Sequence, residues 1–368
     1  MSSIYLYAEL LLNIRRVTIF AILPSNCNAE TRVWLCHDQR TLKLKHEDEE
    51  ATIELPCLVV SDANLKIPPA TTREISFRLF VSDAAKLPPQ AKQATDCNDP
   101  WPAFKLTSET QVACGSCSTL LVNDVKVWKH LPSAGWADMM DFWHCHKPSV
   151  NISDDENAGN NKGYAAANAL GPTAGIGVVD VSQLLISDID CTGLETTDDQ
   201  GLLNCVSCRE IVGVKDKKDR YSLRLFKWSV TLQRSRGLDW ETCSVQEIVS
   251  AQLLASIEDQ AAYKFLAYTG EAEDSKPALV LWAFTPDLMY STSAKPTQRA
   301  MKIFYRTITD SFKTLEKQRN RIEEFQLPSY ALKILQASLK TSTDILPQSA
   351  RTHREWTIGL LDRWSPVL

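Results

Sequence analysis

Two pairs of cysteines carry the sharpest chemical signal in this 368-residue chain: Cys114 and Cys117 in ACGSC, and Cys205 and Cys208 in NCVSC. Two thiolates two residues apart point the same way across a tight turn, so each pair can grip one face of a soft cation. A second pair completes the tetrahedral sulfur set that zinc prefers. Residues 118–204 separate the pairs, too long a stretch for a minimal zinc ribbon, so the chain between them must build its own structure and return. Dithiol redox chemistry is the competing use of either pair, but no thioredoxin-like strand and helix flank them. The expectation is one structural Zn2+ on Cys114, Cys117, Cys205 and Cys208.

A second constellation lies in LPSAGWADMMDFWHCHKP (131–148), where His144, Cys145 and His146 stand in a row among Trp136, Phe142, Trp143 and Pro148. Adjacent residues of an extended segment point to opposite sides, so these side chains cannot all reach one ion. Three readings stay open. Aromatic packing can bury the loop and leave the thiol inert; Cys145 or His146 can join a zinc shell; or the loop can dock on a partner and offer it a soft ligand. Cys57, in ELPCLVV, reads as a small hydrophobe, and Cys191 and Cys243 read as ordinary core or surface thiols. The cysteine count of eleven is odd, and no secretory signal is evident, so disulfides are not expected.

Composition excludes several classes. A net charge of −5, with a pI near 5.8, gives no basic patch for phosphates, so direct nucleic-acid binding is not expected. Residues 4–23 are apolar, but Glu9, Arg15 and Arg16 interrupt them; two edge-on β-strands fit better than a membrane span, and no membrane partner is expected. There is no GxSxG, P-loop, GxGxxG or HExxH motif, and the GIG at 175–177 is too short to count.

The elements that must position these residues read as α+β, mostly β. Residues 1–95 form an N-terminal β-rich region, with strands in TIELPCLVV (52–60) and REISFRLFV (73–81), followed by a linker over 82–100. A zinc-binding block spans 101–233 and contains the Trp-His-Cys-His loop and a polar, acidic surface loop at 149–163. Tyr221, Phe226 and Trp228 could line a pocket in this block, but strand spacing favours core. A C-terminal α+β region covers 239–368. Ser244 followed by Glu247 forms a capping box that opens a helix to about Glu258. Strands then fall at 263–270 and 277–290, and helices near 297–306 and 329–340. Residues 309–325 show helically spaced charge, and 354–368 dock as a terminal strand or helix.

CVSCREIVG, the charged turn KDKKDR and YSLRLFKWSVTL resemble the second half of the β-tent zinc fold of Yippee-like proteins and the thalidomide-binding domain of cereblon. That resemblance implies one zinc on four cysteines. The succession CxxC, LPS-x-x-W, W-x-C-H and CxxC, with VLWAFTPDL (280–288) and KIFY (302–305), resembles the HECT-like ligase family that binds ubiquitin-conjugating enzymes, from about residue 110 onward. Cys145 and His146 match its pattern; His144 stands where relatives carry a cysteine, and GIGVVDVSQLLI (175–186) departs from the expected Gly-Asp and aromatics.

The resemblance implies binding to a ubiquitin-conjugating enzyme and ubiquitin-protein ligase activity, for which Cys145 would be the accepting thiol. It also implies association with the metallo-β-lactamase-type endonuclease that cuts pre-mRNA before polyadenylation, in nucleus and cytoplasm. A thiolate on Cys145, flanked by Trp136, Trp143, His144 and His146, would suit an open position on that nuclease's active-site zinc and hold it inactive. Neither the two lobes of a true HECT domain nor its C-terminal catalytic cysteine is expected here.

Overall fold

The computed structural model describes residues 3–60, 65, 72–85, 99–131, 172–196, 201–216, 221–269, 278–308 and 322–364. Its contacts divide the chain into two compact units: Met1–Asp96 with Ala262–Arg363, and Cys97–Ala261 with Trp364–Leu368. The consecutive regions read from the sequence, 1–95, 101–233 and 239–368, follow a different division. Strand Tyr5–Leu11 pairs with Ala278–Thr292, from Tyr7 opposite Thr292 to Leu10 opposite Met289, and so joins the two outer segments. Local patterning carries no trace of a pairing so distant in sequence. The class is α+β, mostly β, as expected.

In the first unit, one nine-stranded sheet runs in the order Thr352–His353, Trp356–Asp362, Lys295–Ile308, Ala278–Thr292, Tyr5–Leu11, Arg16–Ile22, Glu74–Phe80; Lys264–Tyr268 pairs with Ala278–Thr292 and with Glu323–Gln326. The apolar run at 4–23 forms the two expected strands, and both neighbours of Tyr5–Leu11 are filled. The helix expected near 297–306 is instead strand Lys295–Ile308, hydrogen-bonded on both sides. Ala300 to Tyr305 are buried without interruption, the pattern of a strand covered on both faces. The strand expected over 52–60 ends at Glu54, since Pro56 cannot donate to a ladder. The terminal apolar run docks as strand Trp356–Asp362, and residues 309–321 of the expected charged helix lie outside the described residues.

Helix α1 (Val245–Gln260) belongs to the second unit; helix α2 (Ser329–Thr343) lies in the first, against Trp356–Asp362. A Cβ on Gly359 would stand 2.8 Å from the Leu339 carbonyl oxygen, so the glycine permits that close packing. Beneath the sheet's surface, Lys302 pairs with Glu9, which also accepts the Tyr7 hydroxyl at 2.9 Å. All three side chains are buried.

The second unit holds two sheets. The larger runs Leu194–Thr196, Leu202–Cys205, Ile211–Lys215, Ser222–Phe226, Gln183–Ser187, Ile176–Val179, Val127–His130. The smaller runs Glu241–Thr242, Val230–Gln233, Gln111–Cys114, Leu120–Val122. Trp101, Val112, Leu121, Leu184, Val212 and Leu225 are central to their shared core. Gly213 has no room for a side chain, because a Cβ there would collide with the Arg224 carbonyl oxygen. Helix α1 opens on the expected capping box: the Glu247 N–H donates to the Ser244 hydroxyl at 3.2 Å, and the Ser244 N–H donates to Glu247 Oε2 at 2.8 Å. Among the described residues no helix is long and apolar enough to cross a membrane.

Candidate metal centre

Each cysteine pair sits where a strand runs out into a turn. Gln111–Cys114 ends at Cys114; the Ser118 N–H returns to the Cys114 carbonyl at 2.9 Å, and the Cys114 N–H donates to the Thr119 carbonyl at 2.8 Å. Leu202–Cys205 ends at Cys205 with matching bonds, from the Arg209 N–H to the Cys205 carbonyl at 2.9 Å and from the Cys205 N–H to the Glu210 carbonyl at 3.0 Å. The residue after each second cysteine is left-handed, Ser118 at φ 59° and Arg209 at φ 66°. Two segments far apart in sequence thus adopt one turn, and that turn aims both sulfurs of a pair to one side.

The turns differ in what they rest on. Gly115 packs against Ser229, whose carbonyl oxygen would stand 3.0 Å from an added Cβ and accepts the Gly115 N–H. The corresponding residue of the other turn, Val206, is exposed, and its N–H donates to the Gly193 carbonyl at 3.0 Å.

The pairs meet. Cys114 Sγ lies 3.5 Å from Cys208 Sγ, Cys117 Sγ lies 3.5 Å from Cys205 Sγ, and all four sulfurs fall within 4.8 Å of one another. Zinc–thiolate bonds of about 2.3 Å in a tetrahedron put sulfurs about 3.8 Å apart. The set therefore fits a tetrahedral soft cation, and no disulfide joins any of the four. Among the described residues no histidine or carboxylate belongs to the group. Cys114 lies in the smaller sheet and Cys205 in the larger, so an ion at their centre fastens one sheet to the other.

The environments of the thiols are unequal. Cys114 is buried, and desolvation pushes its thiol up to about 12. Cys117 is exposed; the hydroxyl and N–H of Thr119 draw its pKa down to about 6. A thiolate at Cys117 is thus held by hydrogen bonds from its own turn.

Trp136, Trp143, His144, Cys145 and His146 lie outside the described residues, as do Phe142 and Pro148. The other thiols singled out from the sequence are poor nucleophiles. Burial raises Cys57 to about 11 and, with Asp190 and Asp188 nearby, raises Cys191 to about 12; it also raises Cys243, which faces Glu247. Tyr221 is exposed, whereas Phe226 and Trp228 stack at 4.8 Å against the core, so these rings do not converge on a ligand. Two residues that the spacing argument passed over stand beside the sulfurs: Thr119 and Ser207, whose hydroxyls are 2.9 Å apart. Serine and threonine are common in turns, and only the sulfur positions give these two meaning. Lys227, fully buried and donating to the Pro100 carbonyl at 2.6 Å, also left no sequence signal.

Two relatives are uncharacterized fungal proteins. One, from Saccharomyces cerevisiae, is 24% identical over 266 residues, covering 70% of this chain and 71% of its own length. The other, from Schizosaccharomyces pombe, is 23% identical over 323 residues, covering 83% of this chain and 91% of its own. No solved structure gives a significant match. The model of one family, described as HECT-like ubiquitin-conjugating enzyme (E2)-binding, matches residues 9–358, and across that span the chain belongs to it.

Proposed function

We propose that this chain is an adaptor that binds a ubiquitin-conjugating enzyme, with a structural Zn2+ on Cys114, Cys117, Cys205 and Cys208 holding the sheets of its second unit together. The observation that carries the reading is the family match over residues 9–358, which runs through both units. Four thiolates fill a tetrahedral zinc and leave no position for water, so the ion's contribution is a cross-link. The chain's own part is to aim the sulfurs: the left-handed Ser118 and Arg209 close both turns, and the carbonyls of Thr119 and Glu210 fix the strand ends.

The second half of the proposal concerns the pre-mRNA 3′-end endonuclease. Cys145 between two histidines, on a loop rich in tryptophan, has the chemistry to cap an open position on that enzyme's metal. An adaptor with this partner works in the nucleus, with a cytoplasmic pool available to the conjugating enzyme. The experiment is a pull-down with purified ubiquitin-conjugating enzymes and with the nuclease, on wild type and Cys145→Ser. Capture of a conjugating enzyme by both proteins, with nuclease inhibition lost only in Cys145→Ser, is the expected result. No capture from a broad panel overturns the adaptor reading, and unchanged inhibition overturns the capping role.

A ligase that accepts ubiquitin on Cys145 is the second reading, favoured by the flanking histidines as bases for the thiol. The raised pKa values of Cys57, Cys191 and Cys243 weigh toward the adaptor, since the thiolate is the attacking species. A reducible ubiquitin adduct on Cys145, formed with a charged conjugating enzyme, would decide for the ligase.

A further inference from the structure

The geometry points to a hydroxyl relay, Ser207 to Thr119 to Cys117, that positions the outermost sulfur of the metal centre and sets how fast the ion is lost. This rests on the four-cysteine reading and deepens it. Thr119 Oγ1 lies 3.1 Å from Cys117 Sγ and 2.9 Å from Ser207 Oγ. Thr119 follows the first knuckle and Ser207 lies inside the second, so the contact ties the two turns together by a route that bypasses the ion.

Direction matters here. A metal-bound thiolate accepts hydrogen bonds and donates none. With the metal in place, the Thr119 hydroxyl therefore donates to Cys117 Sγ, and the Ser207 hydroxyl turns to donate to Thr119 Oγ1. Each hydroxyl has one proton and uses it once, so the chain is satisfied from end to end. Cys117 is the ligand this arrangement serves best. Cys114 and Cys205 are buried and Cys208 is half-buried, while Cys117 faces solvent and is the first sulfur that a competing ligand reaches. Glu210 occupies the matching position in the other knuckle, and its side chain offers no hydroxyl donor. The relay therefore compensates the exposed corner alone. Hydrogen-bond partners of this kind change metal affinity by about 10- to 100-fold when removed.

The test uses the full chain loaded with Zn2+, and follows release to a chromogenic chelator for wild type, Thr119→Val, Thr119→Ser and Ser207→Ala. Thr119→Val keeps the shape and removes the donor, and it should release zinc about tenfold faster or more. Thr119→Ser restores the hydroxyl and should return to within twofold of the wild-type rate, while Ser207→Ala should fall between. The Co2+-loaded proteins give an independent readout: the sulfur-to-cobalt charge-transfer band should shift in Thr119→Val and stay in place in Thr119→Ser. Equal release and equal spectra for wild type and Thr119→Val overturn the relay. If Thr119→Val does not fold with metal present, Ser207→Ala decides, and a wild-type release rate there overturns the relay equally. A wild-type chain that takes up neither ion defeats the four-cysteine reading itself, which is a distinguishable outcome.

Discussion

The two units solve the problem of stability by different physics. The first builds a nine-stranded sheet beside a three-stranded one (Arg32–Leu35, Thr41–His46, Glu49–Glu54), and its long strands Ala278–Thr292 and Lys295–Ile308 bury apolar residues and are paired along both edges. The second is assembled from strands of two to five residues in two sheets, and four cysteines gather where those sheets meet. Short strands leave much of their backbone hydrogen bonding in turns, and a cross-link between sheets offsets that weakness. The difference teaches that the four cysteines, which could hold a metal ion, gather in the unit whose strands are short.

The largest expected effect breaks the comparison open. Chelation, or Cys205→Ser, should unfold the second unit and spare the first. A structural zinc site contributes about 10–16 kcal/mol of binding free energy, which exceeds the stability of a typical domain. Hydrogen exchange read by mass spectrometry should show loss of protection at Gln111–Cys114 and Leu202–Cys205, with Tyr5–Leu11 and Ala278–Thr292 still protected. Loss of protection in all four segments together would contradict separate means of support.

Next in size is Glu9→Ala. It leaves the Lys302 ammonium buried without its carboxylate, which costs about 3–5 kcal/mol. Denaturant unfolding should show the first unit weakened and metal retention by the second unit unchanged.

Raising the pH should first strengthen the second unit and then weaken both. Burial lowers Lys227 from 10.5 to about 8, so between pH 8 and 9 the unfolded state binds the extra proton and the second unit gains stability as pH rises; above pH 9 the buried Cys191 and Cys243 thiols keep protons that the unfolded chain releases, and the gain reverses. The gain amounts to about 1 kcal/mol over that one unit of pH, and Lys227→Met should abolish it. In the first unit, burial raises Tyr5 and Tyr290 from 10.0 to about 12. Between pH 10 and 12 the unfolded state sheds those protons first, so stability there should fall. Denaturant melts at stepped pH, with one probe in each unit, check both signs.

The smallest effect belongs to Ser244→Ala. Losing the cap of α1 should cost about 1 kcal/mol, visible as a modest loss of stability confined to the second unit.

What was legible in the sequence was what is local. The capping box at Ser244 and Glu247 and the CxxC spacing are settled within a few residues, and both hold as geometry. The sequence near 297–306 suggests a helix because the buried run from Ala300 to Tyr305 shows no alternation; only pairing with Ala278–Thr292 and Trp356–Asp362 makes Lys295–Ile308 a strand. The interior place of Tyr5–Leu11 depends on a partner near the other end of the chain. Thr119 and Ser207 are ordinary turn residues until the folded chain sets their hydroxyls beside Cys117. The Trp136–His146 stretch, legible as chemistry, lies outside the described residues.

X-ray absorption on the purified full chain, with metal content measured on the same sample, tests the central claim most directly. One zinc per chain, bound by four sulfurs at about 2.3 Å, is the predicted result. A folded chain without metal, or an ion whose nearest shell contains nitrogen or oxygen, would contradict it.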